Sequence, residues 1–506
     1  MLATRSRPSL FRSVCCCLAS LSLGLASTSA QGLRLNGPLA RPICVPTNGR
    51  EKALKLNGDL VAGGDVQPGY GYLGNNISPD GSRVVYLADQ DEDNAAELYS
   101  VPIDGSAPPV KLNGALGSSG DVTTFLIDPL SRRVTFRADQ AADERFELFS
   151  APIDGSTPAV RLSATMVPGG TLYNHRISAD GARVVYLADQ EVVDRYELYS
   201  VPIDGSAAPV KLNGALAAGG NAYYYELSQD SRWVAYSAAQ EAPDREDVYV
   251  VPIDGSAPPV RVSASAAGTE AREVLFTPDG TRVAFVVIPS AGPRALLVAP
   301  RDGSQPPLQL SGSEYVVGGY KRVEFTPDGL RLLYIASVRA NLGLFAVPVD
   351  GSSPSVQLSA SGQYVTNDYL GPLLVSPAGR VVYLAGLFSP FGTFSVPIDG
   401  SMAPVRLDAG ARDSKLTADG RTVIYIRNGV LTRVPIDGSS LPRTVIPGAV
   451  RDVGDFEVSP DGDRIAFLLG VNYPFDERQD VVELFLRPLD LSPRSVDQPR
   501  PTPDRP

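Results

Sequence analysis

Short runs recur along this chain in which apolar positions alternate with polar ones or β-branched and aromatic residues cluster, each bounded by turn residues. Within one stretch they are Thr171–Ser178, Arg183–Ala188, Tyr196–Ile203 and Pro209–Leu212. Each predicts a strand. Ala179-Asp180-Gly181 and Asp204-Gly205-Ser206 between them predict tight turns, because Asp hydrogen-bonds its own backbone and Gly accepts positive φ. No segment sustains the 3.6-residue period of an amphipathic helix.

The same pattern is repeated. Glu97-Leu98-Tyr99-Ser100-Val101-Pro102-Ile103-Asp104-Gly105-Ser106 returns almost verbatim at Glu147–Ser156 and Glu197–Ser206. Looser copies begin at Asp247, Leu296, Leu344, Thr393, Leu431 and Glu483, which makes nine. Their prolines, from Pro102 to Pro488, are spaced 50, 50, 50, 48, 48, 49, 38 and 53 residues apart. A fixed period of this length decides architecture before any local reading does. Four-stranded antiparallel sheets repeated at this interval describe the blades of a β-propeller, whose radial arrangement leaves few exposed strand edges. The expected fold is therefore all-β: a single propeller of nine repeat units, forming eight or nine blades because the eighth unit is short.

The Ser-Pro-Asp-Gly couplet before an apolar strand (Ser78–Gly81, with variants at Thr277–Gly280, Thr326–Gly329 and Ser459–Gly462), followed by a hairpin into the Asp-Gly stretch, resembles the WD40-like repeat of TolB-type propellers. The likeness covers residues 44–492. It implies a propeller, and a function that is either binding, as in periplasmic proteins, or substrate gating, as in prolyl-oligopeptidase-like enzymes. There is no room between Gln31 and the first strands for the separate N-terminal domain of TolB. Residues 31–51 hold a partial repeat, Cys44-Val45-Pro46-Thr47-Asn48-Gly49, so the propeller proper is read as 52–492 and is expected to begin partway through a blade. Ala53–Leu56 would then complete the last sheet with strands from 455–491, closing the ring with the two ends of the chain.

Composition narrows the setting. Residues 1–30 carry Arg5, Arg7 and Arg12, an apolar run from Val14 to Ala26, and a small-residue ending at Ala30, the layout of a secretory signal peptide. The expected location is the periplasm or the extracellular space. Three of the four cysteines leave with that leader, and Cys44 alone cannot form an intrachain disulfide. Residues 493–506 read as a disordered Pro- and Arg-rich tail. The net charge is -11, and losing the three leader arginines makes the chain more acidic still, so nucleic acid is an unsuitable partner. No later stretch is long and apolar enough to span a membrane. A monomer is expected.

Candidate chemistry is sparse. His175 is the single histidine and occupies a position held by Phe125 and Tyr225 in neighbouring units, so a packing role is expected. Without a second histidine or paired cysteines, a Ser-His-Asp triad and a zinc site are disfavoured. Gly69-x-Gly71-x-x-Gly74 matches a dinucleotide fingerprint only formally, since no helix follows it. Trp233 replaces a valine-rich strand position and reads as core.

Two sets of residues stand out. The loops between the second and third strands carry acid in the first four units only: Asp89, Asp91 and Asp93, then Asp139 and Asp143, then Asp189 and Asp194, then Glu241 and Asp244. Variable loops on rigid sheets suit binding, so this crescent is a candidate surface for a protein or small-molecule ligand, a basic one in particular. The plain alternative is solvated surface, neutralised by Arg145, Arg195 and Arg245. No cofactor is expected; calcium at Asp89-x-Asp91-x-Asp93 is the one alternative, and Asn94 stands there where an EF-hand needs Gly. The second set, Arg176, Glu226, Glu324, Lys415 and Glu457, lies on the first strands, which line a propeller's channel. These side chains either bind a ligand or pair between neighbouring blades. The expected function is a non-enzymatic exported scaffold that binds a partner. The alternative is a glycan or peptide hydrolase or lyase that uses the channel carboxylates.

Overall fold

In the computed structural model the described residues are 54–67, 76–117, 119–312, 314–316, 323–338, 341–366, 373–386, 392–409, 411–445, 453–459, 464–469 and 483–488. The leader, the partial repeat at 31–51, the Gly69–Gly74 match and the tail at 493–506 lie outside them. The described chain is all-β, with no helix, and accordingly no helix long and apolar enough to cross a membrane.

The third unit shows how the sequence makes a sheet. Its strands are Leu172–Ile177, Arg183–Ala188, Glu197–Pro202 and Val210–Lys211, paired antiparallel in chain order. The second strand is apolar at every position from Val184 to Ala188 because both of its faces are covered. Val184, Tyr186 and Ala188 pack with Leu148 and Leu162 of the preceding unit, whereas Val185 and Leu187 pack with Ala222, Tyr225 and Val234 of the following one. Each sheet is thus the wall of two cores. The same four-stranded plan recurs along the chain, and Leu54–Lys55 pairs antiparallel with Leu486 and Phe485 in the sheet that holds Val453–Val458 and Arg464–Leu469.

The turns follow the same logic. Gly205 has φ +71°, and a Cβ there would touch Val160 Cγ2 of the preceding unit's outer strand at 3.4 Å. The glycine therefore serves both the turn and the approach of one sheet to the next. The Ser206 hydroxyl and, at 3.0 Å, the Ser206 amide hold the Asp204 carboxyl below the usual carboxylate range, and Arg133 from the unit before lowers it further. Arg83 and Asp154, and Arg183 and Asp254, repeat that relation between successive units.

One junction departs from the plan. The fourth and fifth units merge into an eight-stranded sheet through a parallel contact between Arg245 and Thr269. The hairpin leading to it is extended, Trp233–Ala242 and Arg245–Pro252, with Ala242 opposite Arg245.

Trp233 lies half-buried against the core of the fifth unit, with the Arg301 guanidinium 4.5 Å from its ring centre. Its register opposite Pro252 corrects the valine position expected for it, because Arg83, Arg133 and Arg183 hold that place in the first three units and Val234 takes the valine position. His175 is buried as expected, and also bonds across sheets: its Nε2 lies 3.0 Å from Thr135 Oγ1.

Candidate functional site

The loops between second and third strands, and those leading into each first strand, lie at one end of the sheets. The acidic residues of that end divide into two groups. Asp89, Asp139 and Asp189 are buried, each no more than 4% exposed, and they build their own loops. Asp189 accepts from the Asp194 amide at 2.9 Å and the Thr171 amide at 2.6 Å, and Asp139 does the same for Glu144 and Asp121. Asp89 takes the Asn94 amide. The structure corrects their assignment to a recognition surface: they satisfy backbone donors that would otherwise be buried without partners. The second group is exposed: Asp91, Asp93, Asp143, Asp194, Glu241 and Asp244. Asp91 is paired with Lys111 at 2.9 Å and Glu241 with Arg245 at 3.7 Å. The neighbouring arginines turn inward: Arg195 and Arg245 approach the buried carboxylates Glu197 and Asp247.

Those buried carboxylates went unremarked in the sequence although they stand in the repeated stretch itself. Glu97, Glu147 and Glu197 head their third strands, Asp247 holds the matching place in the longer strand Arg245–Pro252, and the four receive Lys111, Arg161, Lys211 and Arg261 from the outer strands at 2.7, 3.2, 2.6 and 3.5 Å. Tyr99 and Tyr199 donate to the first and third of them. They are structural ion pairs, closed to ligands.

The channel residues pair between sheets. Arg176 meets Glu226 of the next unit at 2.9 Å, and Lys415 meets Glu457 at 3.2 Å. Glu324, half-buried on the strand Val323–Phe325, also has an interaction partner. Two of the three carboxylates proposed for acid–base work are therefore held by a cation. A cavity of about 350 Å³ lies at the first strands, lined by Ile77, Leu126, Val458 and the paired Glu457. Its lining is otherwise apolar and offers no group for chemistry.

The chemistry concentrates instead at the merged junction. Glu246 takes the position of Ala96, Phe146 and Tyr196 in the first three units. There, the amide that begins the next first strand donates to a backbone carbonyl, as Leu172 does to Phe146 and Ala222 to Tyr196. At the fourth junction the Ala271 amide donates to the Glu246 carboxylate at 3.1 Å. Burial pushes the Glu246 carboxyl up to about 7; the Ala271 amide and Arg272 pull it down, while Glu270 pushes it up. Glu270 and Arg272 form an ion pair at 2.6 Å on the first strand of the fifth unit. Arg272 lies 5.7 Å from the Tyr224 ring centre. The Tyr224 phenol is raised by burial, with Arg272 opposing and Glu273, Glu246 and Tyr173 adding to the rise, which puts all five groups in one neighbourhood. Glu273 has φ 52°, a left-handed backbone at the irregularity between Arg272 and Leu275. Strained backbone beside a carboxyl that titrates near neutrality is a combination found at functional sites. The signal that could have found it was the break in the repeat at Glu246.

No protein-family profile and no curated protein matches the chain. Solved structures do. Porphyromonas gingivalis dipeptidyl peptidase 4 aligns with TM-score 0.52 at 12% identity, over 82% of this chain and 65% of that one. A prolyl endopeptidase aligns at 0.43 and 14%, over 75% and 55%, and an oligogalacturonate lyase in complex with manganese at 0.40 and 12%, over 84% and 90%. This chain thus spans 55% and 65% of the lengths of the two peptidases. At such identity the likeness shows the fold alone, and it agrees with a propeller-like arrangement of antiparallel sheets. The expectation of a non-enzymatic scaffold is corrected here: of these structures, the one that aligns above a TM-score of 0.5 is a peptidase, so the hydrolase-or-lyase alternative is the one carried forward as a proposal.

Proposed function

We propose that this chain is a propeller hydrolase or lyase, or the propeller part of one, acting on a glycan or peptide at the loop end of its third to fifth units. The observation that carries the reading is Glu246: a carboxyl brought to about 7 by burial at the seam of two sheets, beside a second carboxylate, Glu270. A carboxyl titrating near neutrality can give a proton to a leaving group or take one from a substrate, and a neighbouring carboxylate supports the complementary step. The channel pairs around Glu226 and Glu457 serve the architecture in this reading.

The reading includes a ring of nine repeat units, the fourth and fifth merged into one sheet, closed by the two ends of the chain. Support comes from the pairing of Leu54 with Leu486 and from Ala466, which packs in one core with Val84 and Tyr86 of the first unit. The TolB-type likeness of the repeats and export by the leader at 1–30 belong to the same proposal, which would put the reaction outside the cytoplasm.

The test is turnover by the purified chain on a panel of peptides and oligosaccharides, alongside Glu246→Gln. The variant should lose at least about a hundredfold in kcat/KM, with its thermal transition kept. Activity that falls as pH rises through about 7 identifies Glu246 as proton donor, and activity that rises there identifies it as acceptor. No turnover on any substrate, or full activity in the variant, overturns the proposal.

A further inference from the structure

Among the described residues the exposed aromatic side chains are Tyr173, 64% exposed, and Tyr224, 38% exposed. Both sit on first strands at the loop end, one on the third unit and one on the fourth. The other exposed large apolar residues are aliphatic or Met, whereas most described tyrosines are buried. At the corresponding place the second unit has Thr123 and Thr124. Tyr173 is held edge-on by Tyr196, with ring centres 5.8 Å apart at 65°, and its free face is left to solvent.

One neutral ion pair adjoins an exposed ring, and a second bridges the two strands that carry the rings. Arg272–Glu270, at 2.6 Å, neighbours Tyr224; Arg176–Glu226, at 2.9 Å, joins the strands that carry Tyr173 and Tyr224. A pyranose has one apolar C–H face and a rim of hydroxyls that both donate and accept. An aromatic ring suits the first, and an arginine–carboxylate pair, with donors and acceptors side by side, suits the second. Each pair is neutral in itself, and Glu246 and Glu273 beside Arg272 weigh against an acidic substrate. A peptide would need free backbone partners or a pocket for its side chains, neither of which the rings and ion pairs supply.

We infer that Tyr173 and Tyr224 are stacking subsites for two sugar units of a neutral oligosaccharide, with Arg176–Glu226 and Arg272–Glu270 binding its hydroxyls. This rests on the proposed site and names its substrate class. The test is calorimetric titration of the full chain carrying Glu246→Gln, which binds without turning over. The probes are neutral hexaoses of glucose and xylose, a hexagalacturonate and a hexapeptide. A neutral hexaose should bind; Tyr173→Ala and Tyr224→Ala should each weaken it about tenfold, and the two Phe variants by less than about twofold. Tighter binding of the galacturonate or the peptide overturns the inference, as do unchanged affinities in both Ala variants or the absence of neutral-sugar binding. Because the readout is binding, tyrosine-dependent affinity with full turnover in Glu246→Gln would sink the catalytic assignment and leave the subsites standing.

Discussion

Replacing His175 by Phe, the residue that Phe125 already places at this position one unit earlier, should change how stability depends on pH. In the fold His175 is 7% exposed and its pKa falls to about 4, chiefly through burial, with the Arg137 charge adding to the effect. The unfolded chain holds it near 6.5. The fold therefore favours neutral imidazole, and the unfolded state takes up the proton first as pH falls. Stability from this group is complete above about 6.5 and is lost between there and about 4, a span worth about 3 kcal/mol at 1.36 kcal/mol per unit. The Phe variant escapes that loss. It also gives up the bond to Thr135 Oγ1 at 3.0 Å, worth about 1 kcal/mol at neutral pH. The two stability curves must cross: wild type is the more stable at pH 7, the variant at pH 4.5. Urea unfolding at both values measures the difference, and the carboxylates common to both proteins cancel. A difference constant to within about 0.5 kcal/mol across that range would refute the reasoning.

Two further substitutions test the repeat. Gly205→Ala keeps ordinary contact with Val160 but forces a Cβ into φ +71°, so it should cost about 1–2 kcal/mol by thermal unfolding, whereas Gly205→Asn, which tolerates that region, should cost less. An Ala variant as stable as wild type would show the turn has another shape. Trp233→Arg restores the residue that Arg83, Arg133 and Arg183 show at this place but sets two guanidiniums against each other, because Arg301 lies over the ring. Adding Arg301→Ile should recover stability, with a coupling of about 0.5–2 kcal/mol in the double-mutant cycle; additive losses would mean that the stacking contributes nothing.

The repeat was legible because every unit states it, and each strand and turn could be checked against eight others. What it hid was depth. Asp89, Asp139 and Asp189 look like loop acids, and only the fold shows that they close the loops from inside. The carboxylates from Glu97 to Asp247 appear as part of a motif, yet each is tied to an outer-strand cation 14 residues later, and in the fifth and sixth units, where the acid is replaced by Ala295 and Gly343, that cation gives way to Gln309 and Gln357. Trp233 belongs to a similar exchange. Where Arg83, Arg133 and Arg183 donate to Ser100, Ser150 and Ser200, the fourth unit has Trp233 facing a strand that carries Val250. Such exchanges can be read within one chain once the units are aligned. Which inner-strand charges would meet could not be read, because Arg176 and Glu226 are brought together by sheet order, not by spacing.

The candidate site follows from the same comparison. Successive units are 50 residues apart until the fourth, after which the spacing drops to 48. At this junction the fifth unit's first strand lies alongside the fourth unit's third strand, with the parallel contact of Arg245 with Thr269; the next interval is also 48 residues and shows no such merger, so the spacing alone does not account for it. In the first and third units a loop side chain, Asp121 or Asn221, accepts the amide of Ala96 or Tyr196. At the fourth the direction reverses: the strand residue reaches across, and Glu246 accepts the Ala271 amide. An apolar side chain at that position would seal the seam. A carboxyl there is partly desolvated at the seam and set near Glu270, and these two effects outweigh the downward pull of the Ala271 amide and Arg272, so its proton is held up to about 7. The merged junction and one altered residue thus place a titratable carboxyl where Glu97, Glu147, Glu197 and Asp247, at the next position along the same strands, are each paired with a cation.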